Sequence, residues 1–188
     1  MDRYLRNLIA AIAVAAPFLH LLSDVMEWFS GFTSAQLWIN YVAFVLMPFM
    51  IIGLYAVQRP AAGWATLAGA FLYGVSFVYF THTTLYSIEG SVADYEALWN
   101  KLGVVYTIHG ALMIIGGLLF GIASLRAGVL RKWAVVVFLA GIVLNLIIGI
   151  APLPDIAQTI GSTLRNFGLI GIGIGLISDR DDRSLLAN

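Results

Sequence analysis

The sequence predicts an all-α integral membrane protein: one domain, residues 1–188, built as a bundle of six transmembrane helices with both termini in the cytoplasm. Three observations carry that expectation. Hydrophobic residues make up 61% of the chain and charged ones 11%, at a mean hydropathy of +0.92, which is far too apolar for a soluble domain with a polar surface. The apolar runs are about as long as a helix needs to cross roughly 30 Å of hydrocarbon, and none alternates as a barrel strand would. Six spans also put Arg3, Arg6, Arg59, Arg126, Arg131, Lys132, Arg180 and Arg183 on the side of the termini, against Lys101 alone on the other. Basic loops stay inside, so the expected location is the plasma membrane with the termini facing the cytoplasm.

The first span runs from Asn7 to Trp28 after a basic start. Its Ala13-Val14-Ala15 stretch has the small residues of a signal-peptide cleavage site, but the polar face at its end matches later helices, so it reads as uncleaved. The second span, Leu37 to Val57, stops before Arg59-Pro60, and the third runs from Gly63 to Tyr86. The outer loop Glu89 to Trp99 reads first as a solvated connection and second as a short amphipathic lid. The fourth span, Trp99 to Leu125, ends at the Arg126 to Lys132 turn, the fifth is Trp133 to Ile150, and the sixth follows the Pro152 to Asp155 turn from Ile156 to Ile177. Trp28, Trp38 and Trp99 fall near the outer boundary and Trp64 and Trp133 near the inner one, an aromatic belt at both interfaces.

Some chemistries are excluded at once. The chain has no cysteine, so disulfides and thiolate reactions are absent, and its zero net charge without a basic tract argues against nucleic acid as a partner. Its two lysines, Lys101 and Lys132, sit at helix ends, which excludes a retinal Schiff base.

Arg165 lies within the last apolar segment, where an arginine needs a buried partner. Helical rise places His20 and Arg165 about 18–20 Å from the cytoplasmic ends of their spans, and Asp24, Asn40 and His109 about 24–26 Å. Glu27, His82 and Tyr106 fall near about 30 Å, and Asn145 and Asn166 near about 16–20 Å. The inner half instead holds apolar runs, such as Phe49 to Ile52, Val135 to Leu139 and Gly168 to Ile174. That asymmetry predicts a pocket in the outer half with an apolar floor, and an ion pair between Arg165 and Asp24. An alternating-access transporter would need polar contacts near the midplane and a route to both sides.

Three chemistries fit these residues. His20, Asp24 and Glu27 share one face of the first helix at i, i+4, i+7, and His82-x6-Glu89 repeats the register of His20-x6-Glu27. Together with His109, the residues His20, His82 and Asp24 offer donors for a divalent metal, although the spacing matches no metal signature. His20 and His109 at similar depth could instead clasp a b-type haem, with Gly110, Gly116 and Gly117 making room. Without a cofactor, Glu27 or Asp24 would be the acid and His20 or His109 the base, acting on a lipid. Asn40, Tyr106, His82 and Asn166 would orient such a ligand beside Arg165. His20, Ser23 and Asp24 also evoke the zinc-dependent membrane hydrolases related to alkaline ceramidase, but the paired late histidines are missing, since none follows His109.

Other polar and small residues read as packing. Gly141, Asn145 and Gly149 share a face of the fifth span, and Gly117-x3-Gly121 and Gly171-x3-Gly175 allow close approach, within the bundle or in a homodimer. Pro17 and Pro48 predict modest kinks. The leading functional expectation is an outward-facing polar pocket that binds, and in the fullest reading transforms, a lipophilic small molecule. Its rivals are a non-enzymatic membrane subunit or sensor with a structural polar layer, then a small transporter. Convergence of His20, His82 and His109 on one cavity would favour chemistry, and their dispersal the structural role.

Overall fold

A computed structural model describes residues 2–92, 94–150 and 155–185; the side chains at 95, 96, 148, 155–158 and 179–185 are outside the description. The described residues form helices without strands: α1 Arg3–Ser30, α2 Ser34–Val57, α3 Trp64–Gly90, α4 Tyr95–Leu102, α5 Val104–Ala127, α6 Lys132–Ile150 and α7 Asp155–Leu185. Five of them (α1, α2, α3, α5 and α7) are long and apolar enough to cross a membrane, and α6 adds a shorter apolar helix. This all-helical fold is consistent with a helical membrane bundle. The turn expected at Pro152 lies outside the described residues.

Local signals set the helix ends. Asp2, Thr33 and Asp94 cap α1, α2 and α4, each side chain accepting a backbone N–H from the first turn. Gly31 and Gly128, at φ 65° and 67°, terminate α1 and α5 in a conformation a side chain would disfavour. Pro17 and Pro48 lie inside α1 and α2 as expected.

One boundary differs from the sequence reading. The run expected as a single span from Trp99 to Leu125 is divided at Gly103, whose φ of 50° and ψ of −121° break the helix. Trp99 therefore belongs to the short helix α4, not to a span. Asp94 accepts from Ala97 N at 2.8 Å to start α4, Leu98 is buried, and Lys101 lies 5.8 Å over the Tyr86 ring. The connection between α3 and α5 is thus a folded helix beside α5, with Lys101 reaching the Tyr86 ring of α3.

The six long helices close a ring in the order α1, α2, α3, α5, α6, α7 and back to α1. Met47, Met50, Ile51, Tyr73, Phe77, Phe120, Phe138, Ile142, Leu169 and Ile172 fill its centre. Phe18, Phe49, Phe71, Val136 and Ile174 point outward and are exposed, a pattern that leaves apolar side chains on the perimeter as lipid contact requires. Glycines bring the backbones together. A Cβ at Gly69 would strike the Phe120 backbone and one at Gly116 the Tyr73 backbone, so α3 and α5 touch along their main chains. Gly141 and Gly168 do the same for α6 and α7, against Arg165 and Phe138. Gly117 and Gly121 face Ile142 and Leu139, and Gly171 and Gly175 face Trp133 and Arg131, so both glycine pairs are occupied within the chain.

Candidate functional site

The polar residues of α1 and α7 meet inside the ring. Arg165 is 3% exposed, and Gly141 of α6 lets its backbone approach. Its Nη1 donates to Met113 Sδ at 2.8 Å, and its Nη2 donates to Ser162 Oγ at 3.4 Å and faces His20 Nδ1 at 3.5 Å. Ser162 Oγ in turn donates to Asp24 Oδ2 at 2.6 Å, and Asp24 Oδ1 lies 3.5 Å from His20 Nε2. Asp24, Ser162, Arg165 and His20 therefore form a closed ring of four side chains.

Guanidinium offers donors only, so a hydrogen bond from Arg165 to His20 uses Nδ1 as the acceptor and leaves Nε2 to donate toward Asp24. Ser162 is saturated: its one O–H goes to Asp24, and its two lone pairs receive Arg165 and, at 3.4 Å, Asn166 Nδ2. Phe44 lies edge-on to His20 at 4.8 Å, and Phe77 sits 5.8 Å beneath the Arg165 guanidinium. A carboxylate and a guanidinium thus compensate each other through two neutral groups, shielded by aromatic rings.

The expected direct ion pair between Arg165 and Asp24 is corrected by this geometry. Ser162 and His20 stand between the two charges. Ser162 was missing from the sequence reading, although its i−3 position relative to Arg165 puts it on the same helix face.

Glu27 belongs to a second group. Gln36 Nε2 donates to Ser23 Oγ at 2.9 Å and to Glu27 Oε2 at 3.2 Å, and Ser23 Oγ donates to the Gln36 carbonyl at 3.5 Å. These bonds pin α1 to α2 through two fully buried residues, Ser23 and Gln36. Gln36 was also missed; it follows the Thr33 cap by three residues, and nothing else in the sequence marks it.

His109 forms a third group. It is fully buried between Phe80 at 4.3 Å, Tyr106 at 4.8 Å and Tyr79 at 6.2 Å, and Tyr106 packs on Trp99 at 5.6 Å. His82 is exposed on α3, and Asn40 is buried with its Oδ1 unpaired among the described residues. The metal reading with His20, His82, His109 and Asp24 is not assembled: among the described residues no three such ligands gather, because only His20 and Asp24 meet. Of the glycines expected to make room for a haem, Gly116 and Gly117 are filled by Tyr73 and Ile142, whereas Gly110 has nothing within 4 Å among the described residues; aromatic rings lie edge-on to both imidazoles.

Two hollows of the surface lie away from these groups. One, of about 440 Å³, is lined by Leu5, Arg6, Ala56, Val57 and Arg59; the other, of about 210 Å³, by Val45, Pro48, Phe49, Val78 and Thr81. Neither opens on Arg165 or His109. Of the expected apolar floor, Ile51 and Phe138 are fully buried, whereas Phe71 points outward.

No family model, curated protein or solved structure matches this chain. The fold and its buried charges place it in a class: an all-helical protein, compatible with multiple passes through a membrane, carrying a compensated charged layer inside.

Proposed function

We propose that this is a non-enzymatic multi-pass membrane protein, a subunit or sensor, in which the buried polar layer fixes the register of α1, α5 and α7. It spans the plasma membrane six times, with both termini in the cytoplasm and lipids as its constant partners. The observation that carries the reading is the closed ring of Asp24, Ser162, Arg165 and His20, whose members contact one another in turn across α1 and α7. His20, His82 and His109 are dispersed over separate environments. Apolar spans slide easily against one another, whereas a paired charge set gives one register its advantage.

A second reading, a pocket for a lipophilic small molecule, is favoured by buried polar atoms left over around the ring. Asn40 Oδ1, Tyr73 Oη, Asn166 Oδ1 and Arg165 Nε have no hydrogen-bond partner among the described residues. In that reading Glu27 and His109 supply acid and base, and Arg165, Asn40, Tyr106, His82 and Asn166 bind the ligand.

Mass spectrometry of protein purified without a histidine tag, for both metals and organic extract, separates the two. The register reading expects nothing at unit stoichiometry, and expects Asp24→Leu/Arg165→Met to melt close to the wild type while each single variant melts well below it. A metal or organic molecule bound one to one, and lost on Glu27→Gln or His109→Phe, would establish the second reading instead.

A further inference from the structure

The hollow between the start of α1 and the end of α2 carries two guanidiniums and is used by neither reading. Arg6 projects from the first turns of α1, and Arg59 follows the last turn of α2. Arg59 Nη1 donates to the Ala62 carbonyl at 3.2 Å, which holds the side chain by its own turn and leaves its other N–H groups free to face the hollow. Arg6 Nε is buried without a hydrogen-bond partner among the described residues.

Among the described residues neither guanidinium makes an ion pair. Asp2, the nearest acid in sequence, is engaged as the α1 cap by accepting Tyr4 N at 3.3 Å. Arg3 is turned aside over the Tyr4 ring at 5.8 Å. The carbonyls ending α2 are already taken, Tyr55 and Ala56 accepting from Gln58 N and Ala56 also from Arg59 N. Leu5, Ala56 and Val57 form the rest of the wall, so the hollow is cationic at its head and apolar at its side.

We infer that the Arg6–Arg59 hollow is a phosphate site at the membrane boundary, with the headgroup of an anionic phospholipid or a free phosphate as the source of that chemistry. A guanidinium offers donors in a planar fork that matches phosphate oxygens two at a time, and two of them line this hollow. The apolar wall and the volume of about 440 Å³ leave room for the glycerol that a lipid phosphate brings with it. The site lies at the end of the bundle that collects the basic residues, where an anionic leaflet would meet it.

The test is native mass spectrometry of the whole protein in detergent with equal amounts of phosphatidylglycerol and phosphatidylcholine, with and without excess inorganic phosphate. The wild type is expected to retain one phosphatidylglycerol preferentially. Each guanidinium near an anionic group is worth about fivefold, so Arg6→Gln/Arg59→Gln should lower the preference roughly 25-fold. Its melting temperature without lipid should stay unchanged, and Arg126→Gln, a basic change outside the hollow, should leave the preference intact. Displacement by inorganic phosphate would assign the source to free phosphate, and resistance to it to the lipid headgroup. A preference that survives the double substitution, or falls equally with Arg126→Gln, would overturn the site.

Discussion

Ser162 on α7 donates a 2.6 Å hydrogen bond to Asp24 on α1 and thereby joins the two ends of the chain across the inside of the ring. The hydroxyl also accepts from Arg165 and Asn166, so its removal strands three groups at once. Ser162→Ala should therefore cost about 1–3 kcal/mol, the desolvation penalty of buried polar groups left unpaired. Thermal unfolding in detergent reads the loss. In a double-mutant cycle with Asp24→Asn the two changes should be coupled by more than about 0.5 kcal/mol, as for groups in one network. Strict additivity would mean the hydroxyl does not serve Asp24.

Arg165→Leu removes the only buried cation facing Asp24 and His20 among the described residues. Breaking a buried charge set by deleting one member costs roughly 3–5 kcal/mol, while replacing both charges with apolar residues is often neutral. The single variant should melt far below the wild type, and Asp24→Leu/Arg165→Leu should recover most of the loss. An unchanged melting temperature in the single variant would remove the charged layer from the list of what holds the fold.

The charged layer was half legible in the sequence. Helical rise put Arg165 and His20 at one depth and Asp24 higher by about one turn, roughly 5.4 Å. Ser162, three residues from Arg165 on α7, reaches the level of Asp24, while Met113, four residues from His109 on α5, reaches the level of Arg165. The long apolar helices could be read because hydrophobic length is a property of the sequence alone. The Gly103 break could not, because Leu102, Gly103 and Val104 carry no polar residue to interrupt an apolar run. Nor could the crowding of His109 by Tyr79 and Phe80, which come from another helix and meet it only once α3 packs on α5.

That crowding gives His109→Ala a large folding cost. The ring is fully buried among three aromatic neighbours, so truncation should cost roughly 3 kcal/mol, as for other large buried side chains. His82→Ala, at an exposed position, should stay within about 0.5 kcal/mol of the wild type. Equal effects of the two substitutions would contradict the placement of both residues.

Glycines separate close packing from mere flexibility. At Gly141 an added methyl meets the Arg165 backbone, and at Gly168 the Phe138 backbone, neither of which can turn away. Each alanine variant should lose about 1–3 kcal/mol by overpacking. At Gly110 and Gly149 nothing lies within 4 Å among the described residues, and alanine there should be neutral or stabilising by up to about 1 kcal/mol through helix propensity. Gly175→Ala meets only the aliphatic stem of Arg131, a flexible side chain, and should fall between the two pairs. Similar melting temperatures for Gly141→Ala and Gly149→Ala would mean that α6 and α7 are not in backbone contact at Arg165.

Gly103 tests the outer end separately from the bundle. Its φ of 50° with ψ of −121° is a backbone state that a Cβ strains by about 1–3 kcal/mol, although nothing lies within 4 Å to obstruct a methyl group. The strain is relieved if Gly103→Ala lets the chain run helical from α4 into α5, which would pull Leu98 and Lys101 away from their present contacts. Hydrogen exchange should then quicken over residues 94–102 while α6 and α7 keep their protection. If exchange instead rose evenly over all helices, the break at Gly103 would be part of the bundle's global stability and α4 would not be a separate unit.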